Sequence, residues 1–162
     1  DTVKGVCIDL RGNHGGNMYP MIAAVHRFLP DDIFLKFKMR RRFQSVMPIN
    51  KEFVANLVGV EIESRINCPI AILTDEETAS SGEAVLLCFR GLDNVRVFGS
   101  PTAGYASANE SIILDNGSIL ALTVSGDIAR TGEIFCDDPI IPDVETESPE
   151  EDALLWLKEN IK

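Results

Sequence analysis

Histidine is nearly absent from this chain: His14 and His26 are the two in 162 residues. So few imidazoles argue against a histidine-rich metal site. The four cysteines, Cys7, Cys68, Cys88 and Cys136, never fall two to four residues apart, so zinc-ribbon spacing is missing too. Each lies in or beside an apolar run, and all four are expected to be free thiols buried as small hydrophobes. No apolar stretch approaches the ~18 residues that a bilayer span requires. No basic-then-apolar leader opens the sequence either, which leaves the compartment open. Positive charge is scarce: 15 Lys and Arg against 25 Asp and Glu give a net charge of -10. Nucleic acid and anionic membranes repel such a chain and are excluded as bulk partners. The local exception is the run Lys36 to Arg42 (KFKMRRR), which reads as a solvated strand end or loop.

What is present is ordinary globular material, 45% hydrophobic and 25% charged. A chain of this length makes a single domain, here 1–162, that buries roughly two thirds of its unfolded surface. Residues 3–10 (VKGVCIDL) form a largely apolar, β-branched run suited to a strand covered on both faces. Because the chain opens in what reads as a strand, further segments are expected upstream. A glycine-rich turn, Arg11 to Asn17, leads into a predicted helix over 18–29, with Met21, Ile22, Val25, Phe28 and Leu29 at helical spacing, Asn17 as N-cap and Pro30 as the stop. Residues 33–38 alternate as a strand, and 43–66 read as a partly helical insertion. A second core strand (70–73) runs into Thr78-Ala79-Ser80-Ser81-Gly82-Glu83, which opens a helix to about Gly91. A strand (95–98), a loop (99–104), a hairpin about Asp115-Asn116-Gly117 and a last helix over 152–161 follow. Strand–loop–helix units followed by a hairpin describe an α/β domain with ligand loops at its strand ends.

Two of those loops carry candidate chemistry. Glycines 12, 15 and 16 precede a helix, where backbone N–H groups can face an anion, although a plain tight turn uses the same residues. Lys-Ser/Thr does not follow them, so the loop is not a phosphate-binding P-loop. Ser80 and Ser81 open a helix, where Ser80 with Glu83 fits a capping box. Taken together the two loops suggest a serine nucleophile with two N–H donors about a developing oxyanion.

The runs Ile8-Asp9-Leu10-Arg11-Gly12-Asn13-His14-Gly15-Gly16, Pro69 to Leu73 into Thr78 to Glu83, and Val97 to Gly104 occur in a fixed order. Leu114 to Ser118, Leu122-Thr123-Val124 and Ile141-Pro142-Asp143-Val144 continue it. In that order they resemble the tail-specific, or C-terminal processing, serine peptidase family over nearly the whole chain. The resemblance implies a crotonase/ClpP-like α/β core with a C-terminal β-hairpin, no cofactor, and peptide or unfolded protein tails as substrate. It places the nucleophile on Ser80 and the oxyanion donors on Ser81 and Gly15, with Gly16 as the neighbouring choice. Where well-known members carry a catalytic lysine, this chain has Tyr105. With an ordinary pKa near ~10 a tyrosine is a poor base at neutral pH, so the Ser–Lys dyad is missing. The tricorn-like and interphotoreceptor-retinoid-binding-like branch takes a histidine from an upstream segment and a carboxylate near the Pro-Asp motif. Asp137 and Asp138 lean toward that pattern, and His14 is the local substitute for the base.

Three readings result. The first is a serine endopeptidase core, whose isolated chain folds, lacks an evident base and offers an uncovered sheet edge for self-association. The second is a catalytically silent peptidase fold that binds a hydrophobic ligand or peptide. The third is a crotonase-like acyl-CoA enzyme, which would leave the Ser80 segment unexplained. Asn109 and Glu110 could touch a substrate, while Asp9 and Arg11 read as loop braces.

Overall fold

In the computed structural model, residues 3–39, 46–61 and 63–161 are described. Two sheets organise the chain. The first is parallel, in the order β1 (Val6–Asp9), β4 (Ile70–Thr74), β5 (Val95–Gly99) and β9 (Val144–Glu145). The second is antiparallel, in the order β3 (Val46–Ile49), β2 (Leu35–Met39), β7 (Ile119–Ala129) and β6 (Ser107–Ile113), with β8 (Ile134–Phe135) also paired to β7. The helices are α1 (Met18–Val25), continued by a 3₁₀ turn to Phe28, α2 (Lys51–Val58), α3 (Ser81–Phe89) and α4 (Pro149–Asn160).

β4 is the centre of the parallel sheet, and all five of its residues are buried. Ile70 and Ile72 face the main core with Ile22, Leu29, Leu87 and Phe89. Ala71 and Leu73 face the other way, onto Ala153 and Leu157 of α4 with Phe98. β1, by contrast, is an edge strand whose burial alternates: Val6 and Ile8 pack inward, while Cys7 and Asp9 are exposed. Two expectations therefore need correction. The strand covered on both faces is β4, not β1, whose Cys7 and Asp9 face is exposed and which pairs with β4 alone among the described residues. Cys7 is exposed rather than a buried hydrophobe, whereas Cys68 and Cys88 are buried; Cys136 is partly buried, and all four thiols are free.

α1 begins where Asn17 Oδ1 accepts the Tyr19 N–H at 3.1 Å, and its α-helical part ends at Val25, one turn short of the predicted helix. The segment read as a partly helical insertion holds β3 and α2, the latter capped by Asn50 and ended by Gly59; its residues 43–45 and 62 lie outside the described residues. So do residues 40–42 of the basic run. The hairpin reaches further than its sequence signal. β6 and β7 extend from the Asp115–Gly117 turn back to Ser107 and on to Ala129, where β7 joins β2 and makes the second sheet. Ile113, Ile119, Leu120 and Leu122 stand exposed on the outer part of this ribbon. Among the described residues no helix is long and apolar enough to cross a membrane.

Parallel pairing fixes the working end of the molecule. Asp9 lies beside Leu73 and Thr74 beside Gly99, so β1, β4 and β5 finish together and deliver three loops to one edge. At Gly99 the backbone takes φ +127°, and a Cβ there would run into the Thr74 carbonyl. Gly117, at the hairpin turn, also has positive φ (+81°) but open space about it. Gly99→Ala is therefore expected to cost ~3 kcal/mol or more of stability, and Gly117→Ala about 1 kcal/mol. Urea unfolding of the two variants measures both; equal losses would show that the strand end yields without cost.

Candidate active site

The loop after β1 and the turn before α3 are sewn together by backbone and side chain. Ala79 N donates to Asn13 O at 2.9 Å, Thr78 Oγ1 to Leu10 O at 2.9 Å, and Gly12 N to the Asp75 carboxylate at 3.0 Å. Ser81 Oγ donates to Gly16 O at 2.7 Å. Gly15, at φ +100°, lies so close that a Cβ on it would sit 2.8 Å from Ser80 Cβ and 3.1 Å from Ser81 N. A side chain at position 15 is thus excluded by Ser80 itself.

The two serines are not equivalent. Ser81 spends its hydroxyl on the Gly16 carbonyl and is buried. Ser80 is half-buried at the N-cap of α3, with φ 51° and ψ -113°. Among the described residues it is the one non-glycine with positive φ. Such a conformation costs roughly 1–3 kcal/mol and persists where the surroundings impose it. It makes a sharp turn at the N-terminus of α3.

Glu83 holds that turn in place. It is fully buried, and its carboxylate accepts four hydrogen bonds: from Ser80 N at 2.7 Å, Thr102 Oγ1 at 2.6 Å, Gly104 N at 2.9 Å and Tyr105 N at 2.8 Å. The sequence reading offered a helix cap. The structure makes Glu83 the clasp between α3 and the loop after β5. Thr102 Oγ1 passes the connection on by accepting Ile140 N at 2.8 Å.

Ser80 and Ser81 open onto a cavity of about 520 Å³ whose walls include Gly16, Met18, Phe37 and Ala84. Its titratable side chains are Tyr19 and Asp127. Gly15 abuts the cavity through its contact with Ser80, but its N–H is donated to Asn13 Oδ1 at 3.0 Å. Asn109 lines the cavity and accepts from Thr123 Oγ1 at 2.8 Å. His14, Tyr105, Asp137 and Asp138 are all exposed. Tyr105 contributes its backbone N–H to Glu83, and the Asp138 backbone lies against Gly104. Asp9 and Arg11 form an ion pair at 2.7 Å that extends to Glu150 at 2.6 Å, which pulls the Asp9 pKa down and braces the loop against α4.

Sequence reasoning missed Ser125 and Asp127. Both are buried on one face of β7, and Ser125 Oγ and Asp127 Oδ1 have no hydrogen-bond partner among the described residues. Burial first, and the charge of Glu83 second, push the Asp127 carboxyl up to about 7. The signal was available as two polar residues at the inward phase of a strand, in Ser125-Gly126-Asp127.

The model of peptidase family S41 matches residues 1–146. The chain belongs to peptidase family S41. This is a family of serine hydrolases, and two curated relatives are similar to it. The nisin-resistance protein of Lactococcus lactis subsp. lactis is 36% identical over 166 residues, covering all of this chain and 52% of that protein. The carboxy-terminal processing protease CtpA of Bacillus subtilis is 27% identical over 155 residues, covering 95% of this chain and 31% of that protein. This S41 chain thus spans about half, or less, of the length of the curated relatives it matches. Among solved structures, a lipoprotein from Streptococcus agalactiae superposes with TM-score 0.88 at 36% identity, over 99% of this chain and 56% of that one. The photosystem II D1 C-terminal processing protease superposes with TM-score 0.68 at 23% identity, over 91% of this chain and 36% of that one, and shows a shared fold.

Two outcomes test the site's electrostatics. Glu83→Ala strands four buried donors and should cost about 3–5 kcal/mol by urea unfolding; a loss under 1 kcal/mol would mean that water replaces the clasp. Asp127 has the opposite sign. The folded state binds its proton more tightly than the unfolded chain, so its contribution is whole below pH ~4 and is lost as pH rises toward 7. Melting temperatures should therefore show Asp127→Asn gaining on the wild type across that window, with a constant gap above about pH 8. A gap independent of pH would mean that ionised Asp127 is paired or solvated.

Proposed function

We propose that this chain is the nucleophile-bearing core of a serine endopeptidase that cleaves peptides or protein tails by acyl transfer. The observation that carries the reading is Ser80 itself: a strained serine at a helix N-terminus, opening on a cavity, beside a glycine loop that cannot bear a side chain. Family membership and the name of the carboxy-terminal processing relative support the substrate class.

In this mechanism Ser80 Oγ attacks the scissile carbonyl carbon, and its proton passes to a general base. The carbonyl oxygen becomes an oxyanion held by N–H donors. Ser81 supplies one, because the first amides of a helix have no intrahelical acceptor and lie at its positive end. The glycine loop supplies the other. Gly15 N–H is engaged by Asn13 in this structure, which moves the weight to Gly16, with Gly15 available once the Asn13 side chain turns away. The peptide nitrogen then leaves with the proton from the base, and water hydrolyses the Ser80 ester. Each oxyanion donor is worth roughly 10²–10³ in rate.

We assign the base to a residue outside 1–162. His14 and the Asp137–Asp138 pair are exposed and do not line the cavity, and Tyr105 is 62% exposed with its backbone tied to Glu83. The free edge of β1 is where a further strand, or a second copy, would pair.

Ser80→Ala in the whole protein is expected to lower peptide hydrolysis by roughly 10³-fold or more with folding preserved, and a serine-directed phosphonate should label Ser80 in the wild type. Full turnover by the variant, or labelling at Ser81, would overturn the assignment. The isolated chain should label slowly; rapid labelling would place the base within these residues.

A further inference from the structure

The cavity at Ser80 has an uneven lining. Ser80, Gly16 and Met18 line it together with Phe37 and Ala84, which supply apolar wall, and with Asp127. Cys88, two turns along α3 from Ser80, feels the charge of Asp127, and Asp127 feels that of Glu83. The exposure of Asp127 is 2%, and that of Ser125 is 1%. The two stand two residues apart on β7, so they face the same way. Phe37, the cross-strand partner of Asp127, lines the same cavity and places that face toward it.

Buried polar atoms in folded proteins are nearly always satisfied. Here Asp127 Oδ1 and Ser125 Oγ have no hydrogen-bond partner among the described residues, on two residues that line the cavity beside Ser80. Neither contributes to the clasp of Glu83, and neither holds the second sheet together through its side chain. A buried carboxylate and hydroxyl with unfilled hydrogen-bonding capacity are what a site offers if it is to be completed by a donor from outside.

We propose that Asp127 and Ser125 form the recognition floor of the substrate side-chain pocket. They select, on the N-terminal side of the scissile bond, a residue whose long aliphatic stem ends in a cation. This rests on the reading of Ser80 as the nucleophile. The apolar walls take the methylene stem, as such side chains bury their stems along apolar surface. The terminal ammonium donates to Asp127 Oδ1 and Ser125 Oγ and compensates the carboxylate. Asp127 is then a specificity residue and not the base.

The test uses the whole protein and three peptides identical except at that position, which carries lysine, norleucine or glutamine. Lysine should exceed norleucine in kcat/KM by about tenfold or more, with glutamine between, since a site built to pair a polar group rejects the analogue lacking it. Asp127→Asn should collapse the lysine-to-norleucine ratio, and Ser125→Ala should reduce it. A wild-type preference for norleucine, or a ratio unmoved in Asp127→Asn, would overturn the proposal. Ser80→Ala separates the two readings. If that variant keeps its turnover, the nucleophile assignment fails. If Ser80 is required and the ratio does not move, the pocket inference alone fails. If none of the peptides is turned over, their binding to Ser80→Ala protein reads the same ratio, and equal affinities for lysine and norleucine count against the floor.

Discussion

One buried carboxylate organises the Ser80 end of this molecule. Glu83 accepts from the backbone of Ser80, from the Thr102 hydroxyl and from the amides of Gly104 and Tyr105. Taking a carboxylate out of water is costly, and the cost is offset when every acceptor site is filled. The four donors come from the N-cap of α3 and from the loop after β5. Neither segment has regular structure of its own there, so their mutual position is set by this shared acceptor. The unusual backbone of Ser80 is held from below by the same group, and the reach of Thr102 to Ile140 brings the segment containing Asp138 into the arrangement.

The second constraint is directional. A parallel sheet places all of its strand ends carrying ligand loops at one edge, and the register of β1, β4 and β5 keeps them level. The antiparallel sheet does something different. Its long strand β7 passes behind α3 and contributes Ser125 and Asp127 to the cavity from the opposite side. The site is thus assembled from two sheets with separate logic, one supplying reactive backbone and the other supplying the pocket wall. Two carboxyls on facing elements illustrate the contrast: Glu83 is saturated with donors, while Asp127 is buried, without a partner at Oδ1 among the described residues, and driven toward its protonated form.

Much of this was legible in the residues. The order of the motifs located the family, and the glycine loop and the Ser80–Ser81 pair marked the turn before α3, because tight turns and helix starts leave short-range marks. The core strand read at 70–73 announced itself by an unbroken apolar run, and the strand read at 95–98 is apolar except for Arg96; the structure extends each by one residue. Long-range pairings left weaker traces. That β1 would be an edge, and Cys7 exposed, depends on which strand lies beside it. That the hairpin would lengthen into a sheet depends on β2, some 90 residues away in sequence. Glu83 looked like a capping residue because its partner at Ser80 is three residues off, whereas Thr102, Gly104 and Tyr105 reach it only through the fold. Asp127 escaped notice for the same reason: its neighbours are distant in the chain.

The tight contact between Gly15 and Ser80 also limits which side chains evolution or engineering can install at position 80. With Cβ of residue 80 filling the space a side chain at position 15 would need, and with φ at 51°, a β-branched residue is disfavoured on both steric and backbone grounds. Threonine, chemically the nearest hydroxyl, is therefore a worse replacement than cysteine, which keeps an unbranched Cβ and exchanges oxygen for sulfur. The scaffold is open to thiol chemistry and closed to a secondary alcohol.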